Sequence, residues 1–386
     1  MNTTCSDSGE GMRKMQGNER EEHEAGEVSE YVRKNLESED LAEEEVLHLF
    51  DMPLPVLGRI ADEIRRRKCG ELVTFVIDRN INYTNVCVSQ CKFCAFYAKC
   101  DEDAYVLSKE EILAKVEEAV RLGATQILMQ GGLNPDLSIE YFEEIFSAVK
   151  RRFSRFGRFG VHLHCLSPPE VHFLAKKERM SVKETLSRLR DAGLDSLPGG
   201  GAEILSERVR REISPRKVSA AGWLKVMEIA HKIGMRTSAT MMFGHVETKS
   251  EIIEHLFRLR ELQKKTGGFT AFIPWTFQPK NTALQSIVSE PASPVSYLRV
   301  LAISRIVLHN FRNIQASWLT QGFDVAKLAL FFGANDFGGT VLEENVVTAA
   351  GKSFKPASVE EIVSAVRSVG RPVAQRNTLY HILKMF

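Results

Sequence analysis

The chain of 386 residues has no excess of charge of either sign: 51 lysines and arginines nearly cancel 50 aspartates and glutamates. Without a bulk field, nothing draws it to nucleic acid or to an anionic membrane surface, and the expected ligand is a small molecule. No apolar run reaches the length that spans a bilayer, and the opening stretch has no apolar segment of the kind a secretory leader carries. A cytoplasmic protein is the expectation, and a reducing cytosol disfavours disulfides. Cysteine is scarce and unevenly placed. Of seven, Cys5, Cys69 and Cys165 stand singly, four lie between residues 87 and 100, and no second Cys-x2-Cys pair occurs. An odd total with three thiols crowded into eight positions fits a metal site better than a disulfide framework.

What is present is ordinary globular material, 44% hydrophobic, enough for a sizeable core. Residues 1–30 are polar and charge-rich and are expected to form a mobile tail. Over 31–71 apolar residues recur at helical spacing, with Ser38 or Asp40 as candidate caps, which predicts a small N-terminal helical cap. From residue 72 short β-rich runs alternate with amphipathic stretches. Strands are expected at 72–77, 125–130, 160–166, 194–199, 236–243, 268–277, 313–318 and 330–336. Helices fall between them, as in "SKEEILAKVEEAVRLG" (108–123) and "ETKSEIIEHLFRLRELQKKTG" (247–267). This alternation over 72–350 predicts an α/β protein built as a parallel (β/α)8 TIM-type barrel, with a doubly wound open sheet as the alternative. Residues 351–386 should supply a last helix and a C-terminal wrap. In such a barrel the chemistry belongs on the loops that follow the strands.

The loop after the first strand carries Cys87, Cys91 and Cys94 in a Cys-x3-Cys-x2-Cys pattern. Structural zinc normally takes four protein ligands in two separated pairs, which this chain does not offer. A four-iron cluster held by three thiolates keeps one iron open to bind a further molecule. With an aromatic, Phe93, just before the last cysteine, the motif resembles that of the radical S-adenosylmethionine superfamily. The resemblance implies a [4Fe-4S] cluster on Cys87, Cys91 and Cys94, with the open iron chelating the methionine moiety of S-adenosyl-L-methionine. It also implies that Phe93 meets the cofactor adenine, with Tyr97 or Phe96 contributing. Cys100, six residues on, reads as a bystander.

The other strand-end loops offer further candidates. Gln130, Gly131 and Gly132 close the second strand, where glycines allow close backbone approach; in the superfamily this place holds the methionine amino group. Glu203 follows the fourth strand and can bond the cofactor ribose. Arg210, a little further on, either neutralises a carboxylate or sits on a solvated helix face. His245 and Glu247 lie beyond the fifth strand, as a pair able to polarise substrate or accept a proton, or as satisfied structural residues. His162 and His164 alternate along the third strand and so share one side of it. Trp275, Phe277 and Gln278 suit an apolar wall with one orienting amide.

Phrases such as "LHCLSPPE", "LDSLPGGGAEIL", "TSATMMFGHVET", "GGFTAFIPWTFQPKNTAL" and "IQASWLTQG" narrow the resemblance to the cyclic dehypoxanthinyl futalosine synthase family of menaquinone biosynthesis, from about residue 40 onward. The aminodeoxyfutalosine synthases and the radical enzymes that build the F420 deazaflavin are the neighbouring alternatives. An iron–sulfur electron-transfer or sensing module is the non-enzymatic one. The resemblance implies that a one-electron donor such as flavodoxin or ferredoxin reduces the cluster. A 5′-deoxyadenosyl radical then takes hydrogen from the ribose C4′ of dehypoxanthine futalosine, and the carbon radical closes on the benzoate ring. Two duties would remain for side chains, anchoring the benzoate carboxylate and removing a proton.

Overall fold

A computed structural model describes residues 26–153 and 160–386. The tail expected over 1–30 lies outside the described residues except for 26–30, which belong to a helix over 26–36 that packs Val28 against the core.

Eleven strands are described: β1 (Val73–Val76), β2 (Asp78–Ile81), β3 (Gln126–Met129), β4 (His162–Cys165), β5 (Ser196–Leu197), β6 (Arg236–Phe243), β7 (Phe269–Thr276), β8 (Asn313–Ile314), β9 (Asp336–Gly339), β10 (Val373–Arg376) and β11 (Ile382–Met385). Strands β2 to β8 form one parallel sheet in chain order, the expected consequence of right-handed strand–helix–strand crossovers. The ring is completed by β9. It touches the end of β8 through a parallel bridge between Gln315 and Asp336, and it pairs in parallel with β1, which runs through Ile77 into β2. Eight parallel positions thus surround the barrel axis, as the alternation predicts.

Three details differ from the pattern read along the chain. The single first strand over 72–77 is two, because its lower half pairs with β9 and β10 while its upper half turns to β3. The strand expected at 330–336 is the turn after the helix Phe323–Ala329, and the true last barrel strand is the glycine-rich segment that follows. The C-terminal wrap contains the helix Val359–Ser368 and then a hairpin, β10 antiparallel to β11, that extends β1 beneath the ring.

Helix boundaries follow local chemistry. Ser108 and Glu111 form a reciprocal capping box on the helix Lys109–Arg121, and Thr248 with Glu251 does the same for Lys249–Thr266, which Gly267 ends in the left-handed conformation. In the N-terminal cap the helix Glu43–Asp51 starts from Ala42, not from Ser38 or Asp40. The Asp40 carboxylate is otherwise engaged, by His309 at 3.0 Å and Arg260 at 3.2 Å, and so ties the cap to the barrel. The helix Leu54–Cys69 buries Val56, Leu57, Ile60, Ala61 and Ile64. Each large aliphatic side chain buried this way contributes roughly 1.5–3 kcal/mol. Among the described residues no helix is long and apolar enough to cross a membrane.

Candidate active site

A cavity of about 420 Å³ occupies the barrel. Its mouth is formed by the cysteine loop after β2, and its lining includes Cys87, Cys91, Phe93, Cys94, Phe96 and Tyr97. The loop is held by backbone bonds to the rest of the barrel: Val88 N donates to Leu133 O (3.0 Å), Lys92 N to Ile213 O (2.8 Å) and Ala98 N to Asn85 O (3.0 Å). Gln90 takes a left-handed φ of 45° and accepts from Arg216 at 2.7 Å, which turns the chain between the first two cysteines. None of the six cysteines among the described residues is in a disulfide. Burial pushes the Cys91 and Cys94 thiols up, with Lys217 pulling the other way. Cys100 is exposed and donates to Asp103 at 3.2 Å, away from the other three.

The end of β3 leans directly on this loop. A Cβ on Gly132 would stand 2.1 Å from Val86 O, and one on Gly131 would stand 2.8 Å from the Tyr83 ring. Only glycine permits the approach at either position. Glu170, which the sequence reading did not single out, fixes the arrangement. Its Oε1 accepts from Gly131 N (3.0 Å) and Tyr83 OH (2.8 Å), while Oε2 caps its own helix through Ser167 N (2.7 Å). Burial raises the Glu170 carboxyl even against these donors. Gln130 lines the cavity, and its carbonyl accepts from Asn82 at 3.1 Å.

Glu203 also faces the cavity, held in a left-handed φ of 43°. Lys217 Nζ donates to its Oε1 at 2.9 Å and lies 5.1 Å from the Phe93 ring centre. Burial opposes the charge on Lys217 most strongly, yet the Glu203 carboxylate and the Cys91 sulfur together outweigh it and raise the ammonium above its ordinary value. Lys217 had no pattern to reveal it, being one of two adjacent basic residues in the loop "SPRKV". Arg210 is placed differently: it is buried and donates to the carbonyls of Ala202 (2.8 Å), Gly201 (3.1 Å) and Val218 (3.0 Å), with Glu203 Oε2 at 3.5 Å. It braces the Glu203 loop from behind and is absent from the cavity lining.

His245 and Glu247 are likewise absent from the lining. His245 Nε2 donates to Met242 O at 3.1 Å and Nδ1 accepts from Val246 N at 2.8 Å; Glu247 accepts from His245 N at 2.9 Å. Both side chains are spent on shaping the turn into the next helix. His164 does line the cavity. Its Nδ1 lies 2.6 Å from Ser196 Oγ and its Nε2 3.2 Å from Ser238 Oγ, and His162 Nε2 shares Ser196 Oγ at 2.7 Å. Burial lowers both, His162 to about 4 and His164 to about 3, so they are neutral partners of hydroxyls at neutral pH. Trp275 contributes to the wall, whereas Phe277 and Gln278 do not.

Beneath these lies a polar floor. Asp78 and Asn80 project inward from β2, and Arg376, Thr378 and Tyr380 reach it from the C-terminal hairpin. Arg376 is locked to the buried Asp336, with Nη2 2.9 Å from Oδ1, and its guanidinium lies 4.0 Å from the Tyr380 ring centre.

A parallel barrel with three free thiols at the mouth of its central cavity is the architecture of a radical S-adenosylmethionine enzyme, and comparison with known proteins agrees. Residues 81–259 match the Radical SAM superfamily, and residues 266–386 match the CofH/MqnC C-terminal region. Among solved structures, methylornithine synthase superposes with a TM-score of 0.69 at 19% identity, covering 88% of this chain and 96% of that one. The FeFe-hydrogenase maturase HydG of Carboxydothermus hydrogenoformans gives 0.70 at 18%, covering 94% and 82%. At such identities the likeness is one of fold.

The curated relatives are closer. A cyclic dehypoxanthine futalosine synthase of Streptomyces coelicolor is 46% identical, covering 88% of this chain and 85% of its own. One from Halalkalibacterium halodurans is 42% identical, covering 92% and 95%. A 5-amino-6-(D-ribitylamino)uracil–L-tyrosine 4-hydroxyphenyl transferase of Methanosarcina barkeri is 44% identical, covering 87% and 89%. This chain belongs to the cyclic dehypoxanthine futalosine synthase family of radical S-adenosylmethionine enzymes.

The cofactors of that superfamily are a [4Fe-4S] cluster and S-adenosyl-L-methionine. The donor set fits the cluster. Among the described residues no three His, Cys, Asp or Glu side chains converge as a single metal ion requires, yet Cys87, Cys91 and Cys94 share one cavity wall. A cluster distributes its thiolates over separate irons, so it needs a shared wall and not a common point.

Proposed function

We propose that this enzyme converts dehypoxanthine futalosine to cyclic dehypoxanthine futalosine. The observation that carries the reading is the single cavity in which three free thiols face the glycine-lined end of β3 above a polar floor, inside a chain of this family. Cys87, Cys91 and Cys94 would hold the cluster, which, once reduced by one electron, would supply the reductive cleavage of bound S-adenosyl-L-methionine that starts the radical chemistry. The chain's own residues then have three tasks. Phe93, Tyr97 and Gln130, beside the backbone of Gly131 and Gly132, hold the nucleoside and methionine parts against the loop. Glu203, oriented by Lys217 and braced by Arg210, accepts from hydroxyls of the cofactor ribose. Trp275, Ile273 and Trp318 line the remaining wall and exclude water from a radical that would otherwise react with it.

For the proton released on ring closure, the cavity-facing bases are Asp78, His164, Glu170, Glu203 and Glu344, while His245 and Glu247 are absent from the lining. A small flavodoxin or ferredoxin in a reducing cytoplasm is the fitting electron donor.

The Methanosarcina relative keeps a second reading in view, since its identity to this chain is close to that of the synthases. Anaerobic, cluster-loaded protein reduced with dithionite separates the two. Dehypoxanthine futalosine should yield 5′-deoxyadenosine together with a product lighter by two hydrogens. If 5′-deoxyadenosine and a coupled product arise only with tyrosine and 5-amino-6-(D-ribitylamino)uracil, the transferase reading replaces this one.

A further inference from the structure

The floor of the cavity carries polar atoms for which the described residues supply no partner. Asn80 is 9% exposed; its Nδ2 donates to Glu344 Oε2 at 3.1 Å, which leaves Oδ1 buried and unbonded. Thr378 is 5% exposed and its Oγ1 is likewise buried and unbonded. Both line the cavity. An orphaned polar atom in a protein interior costs stability, and retaining two in one cavity wall points to a ligand that satisfies them.

Asp78 stands beside them. It lies two residues before Asn80 on β2, so both side chains project to the barrel interior. Its Oδ1 accepts from Val341 N at 2.9 Å, whereas Oδ2 has only a long contact of 3.4 Å from Gln126 Nε2. A Cβ on Gly339 would stand 2.1 Å from Oδ1, so the glycine of β9 makes the room this carboxyl occupies. Asp78 makes no ion pair among the described residues, and burial pushes its carboxyl up to about 6 although the Val341 N–H and Arg376 draw it down.

The cations of the lining do not change this picture. Lys217 is bonded to Glu203 and Arg376 to Asp336, so neither is free for an anion. The floor therefore presents acceptors and the hydroxyls of Thr378 and Tyr380, the complement of a ligand rich in O–H donors and not of a carboxylate.

We infer that Asp78, Asn80 and Thr378 form a hydroxyl-binding floor that holds the sugar ring of the substrate, Asp78 Oδ2 and Asn80 Oδ1 accepting from its hydroxyls. This rests on the proposed function, because that substrate carries a ribose. The benzoate carboxylate is then directed away from the floor. A site built to bond a hydroxyl rejects an analogue without it, because its own groups are left unpaired.

The test is equilibrium binding to cluster-loaded, unreduced protein saturated with S-adenosyl-L-methionine, using dehypoxanthine futalosine and its 2′-deoxy and 3′-deoxy analogues. Wild-type protein should bind at least one deoxy analogue about 10–100-fold more weakly than the parent. Asp78→Asn keeps the shape, and its amide oxygen would turn to the Val341 N–H, so a donor replaces the acceptor that faced the cavity. Thr378→Val keeps the shape and removes the hydroxyl. Each should weaken the parent by a similar factor, shrink the discrimination against the deoxy analogue and leave S-adenosyl-L-methionine affinity unchanged. Variants that bind the parent as wild type does, or that discriminate as strongly, overturn the floor while leaving the proposed function intact. Should Asp78→Asn not fold, Thr378→Val decides alone. Wild-type protein that fails to bind the parent overturns the substrate assignment and the floor together.

Discussion

The two ends of one cavity are built in opposite ways. At the mouth, nearly all the chemistry comes from one short stretch, residues 87–97, whose thiols and aromatics lie within eleven positions and are positioned by backbone bonds. At the floor, Asp78 and Asn80 meet Asp336, Arg376 and Thr378, groups separated by up to three hundred residues and joined by a buried ion pair. The mouth is local in sequence and held by geometry; the floor is assembled by topology and held by charge. The mouth should therefore fail in function when changed, and the floor should fail first in stability.

The largest effect is expected at the mouth. Cys87→Ala, Cys91→Ala or Cys94→Ala should each abolish 5′-deoxyadenosine formation, a loss of at least about a thousandfold given that no other thiol among the described residues faces the cavity. Iron content and visible absorbance of the reconstituted variants report the cause. The thermal midpoint of the cluster-free protein should change little, since these thiols make few contacts within the core. A variant that keeps its cluster and its activity would remove that cysteine from the ligand set.

The next is expected at the floor. Arg376→Met leaves Asp336 buried with no cation, and breaking such a pair typically costs about 3–5 kcal/mol. The drop should be read by denaturant unfolding. The double variant Arg376→Met with Asp336→Leu should recover much of it, because an uncompensated charge is the larger part of the penalty. If the single variant is as stable as wild type, the ion pair does not hold the hairpin to the barrel, and the contrast drawn here fails at that end.

The same division explains how much of the molecule was legible along the chain. The cysteine spacing, the paired glycines after β3 and the helical patterns opening at residues 108 and 247 are local signals, and the two helices form where they were read. Ring closure is not local. Strand β9 is "DFGG", a composition that reads as a turn and becomes a strand only because Asp78 requires the space beside Gly339 and because β1 lies free to pair. The hairpin β10–β11 read as a wrap, since strand pairing beneath a barrel leaves no periodic trace in fourteen residues. His245 and Glu247 show the converse limit. They sit at a strand end, where function concentrates, yet their hydrogen bonds are consumed by their own turn. Lys217 and Glu170 became visible only through their partners.

A third prediction concerns the seam between the mouth and the rest of the barrel. Gly132→Ala places a methyl 2.1 Å from Val86 O, a clash with backbone that no side-chain movement relieves. Overpacking of this kind costs typically 1–3 kcal/mol. Because the displaced element is the cysteine loop, cluster incorporation and S-adenosyl-L-methionine affinity should fall together with stability. Gly26→Ala, where φ is not left-handed and nothing lies within 4 Å of the added carbon, is the control for an added methyl without a clash. A variant at Gly132 that loses stability but binds cofactor normally would separate the seam from the mouth.

The smallest effect lies in the layer between the two ends. His162 and His164 have values in the fold of about 4 and about 3, below the ordinary 6.5, because burial penalises their charged forms. The unfolded chain therefore takes up protons first as pH falls. Their contribution to stability is complete above about pH 6.5 and is lost as pH drops toward 4. Between pH 7 and pH 6 the loss should be below about 1 kcal/mol for each histidine. His162→Gln keeps a polar partner for Ser196 without a titrating group, so its unfolding midpoint should vary less over that interval than the wild type's. Equal variation in both proteins would show that the histidines are not the groups sensing pH, and would shift attention downward to Asp78. That carboxyl, raised to about 6, stabilises by the same linkage in the opposite direction: its penalty is relieved as protons bind. The histidines and the floor therefore oppose one another across the same pH range. The net slope of stability against pH, compared between His162→Gln and Asp78→Asn, measures which layer of the cavity dominates.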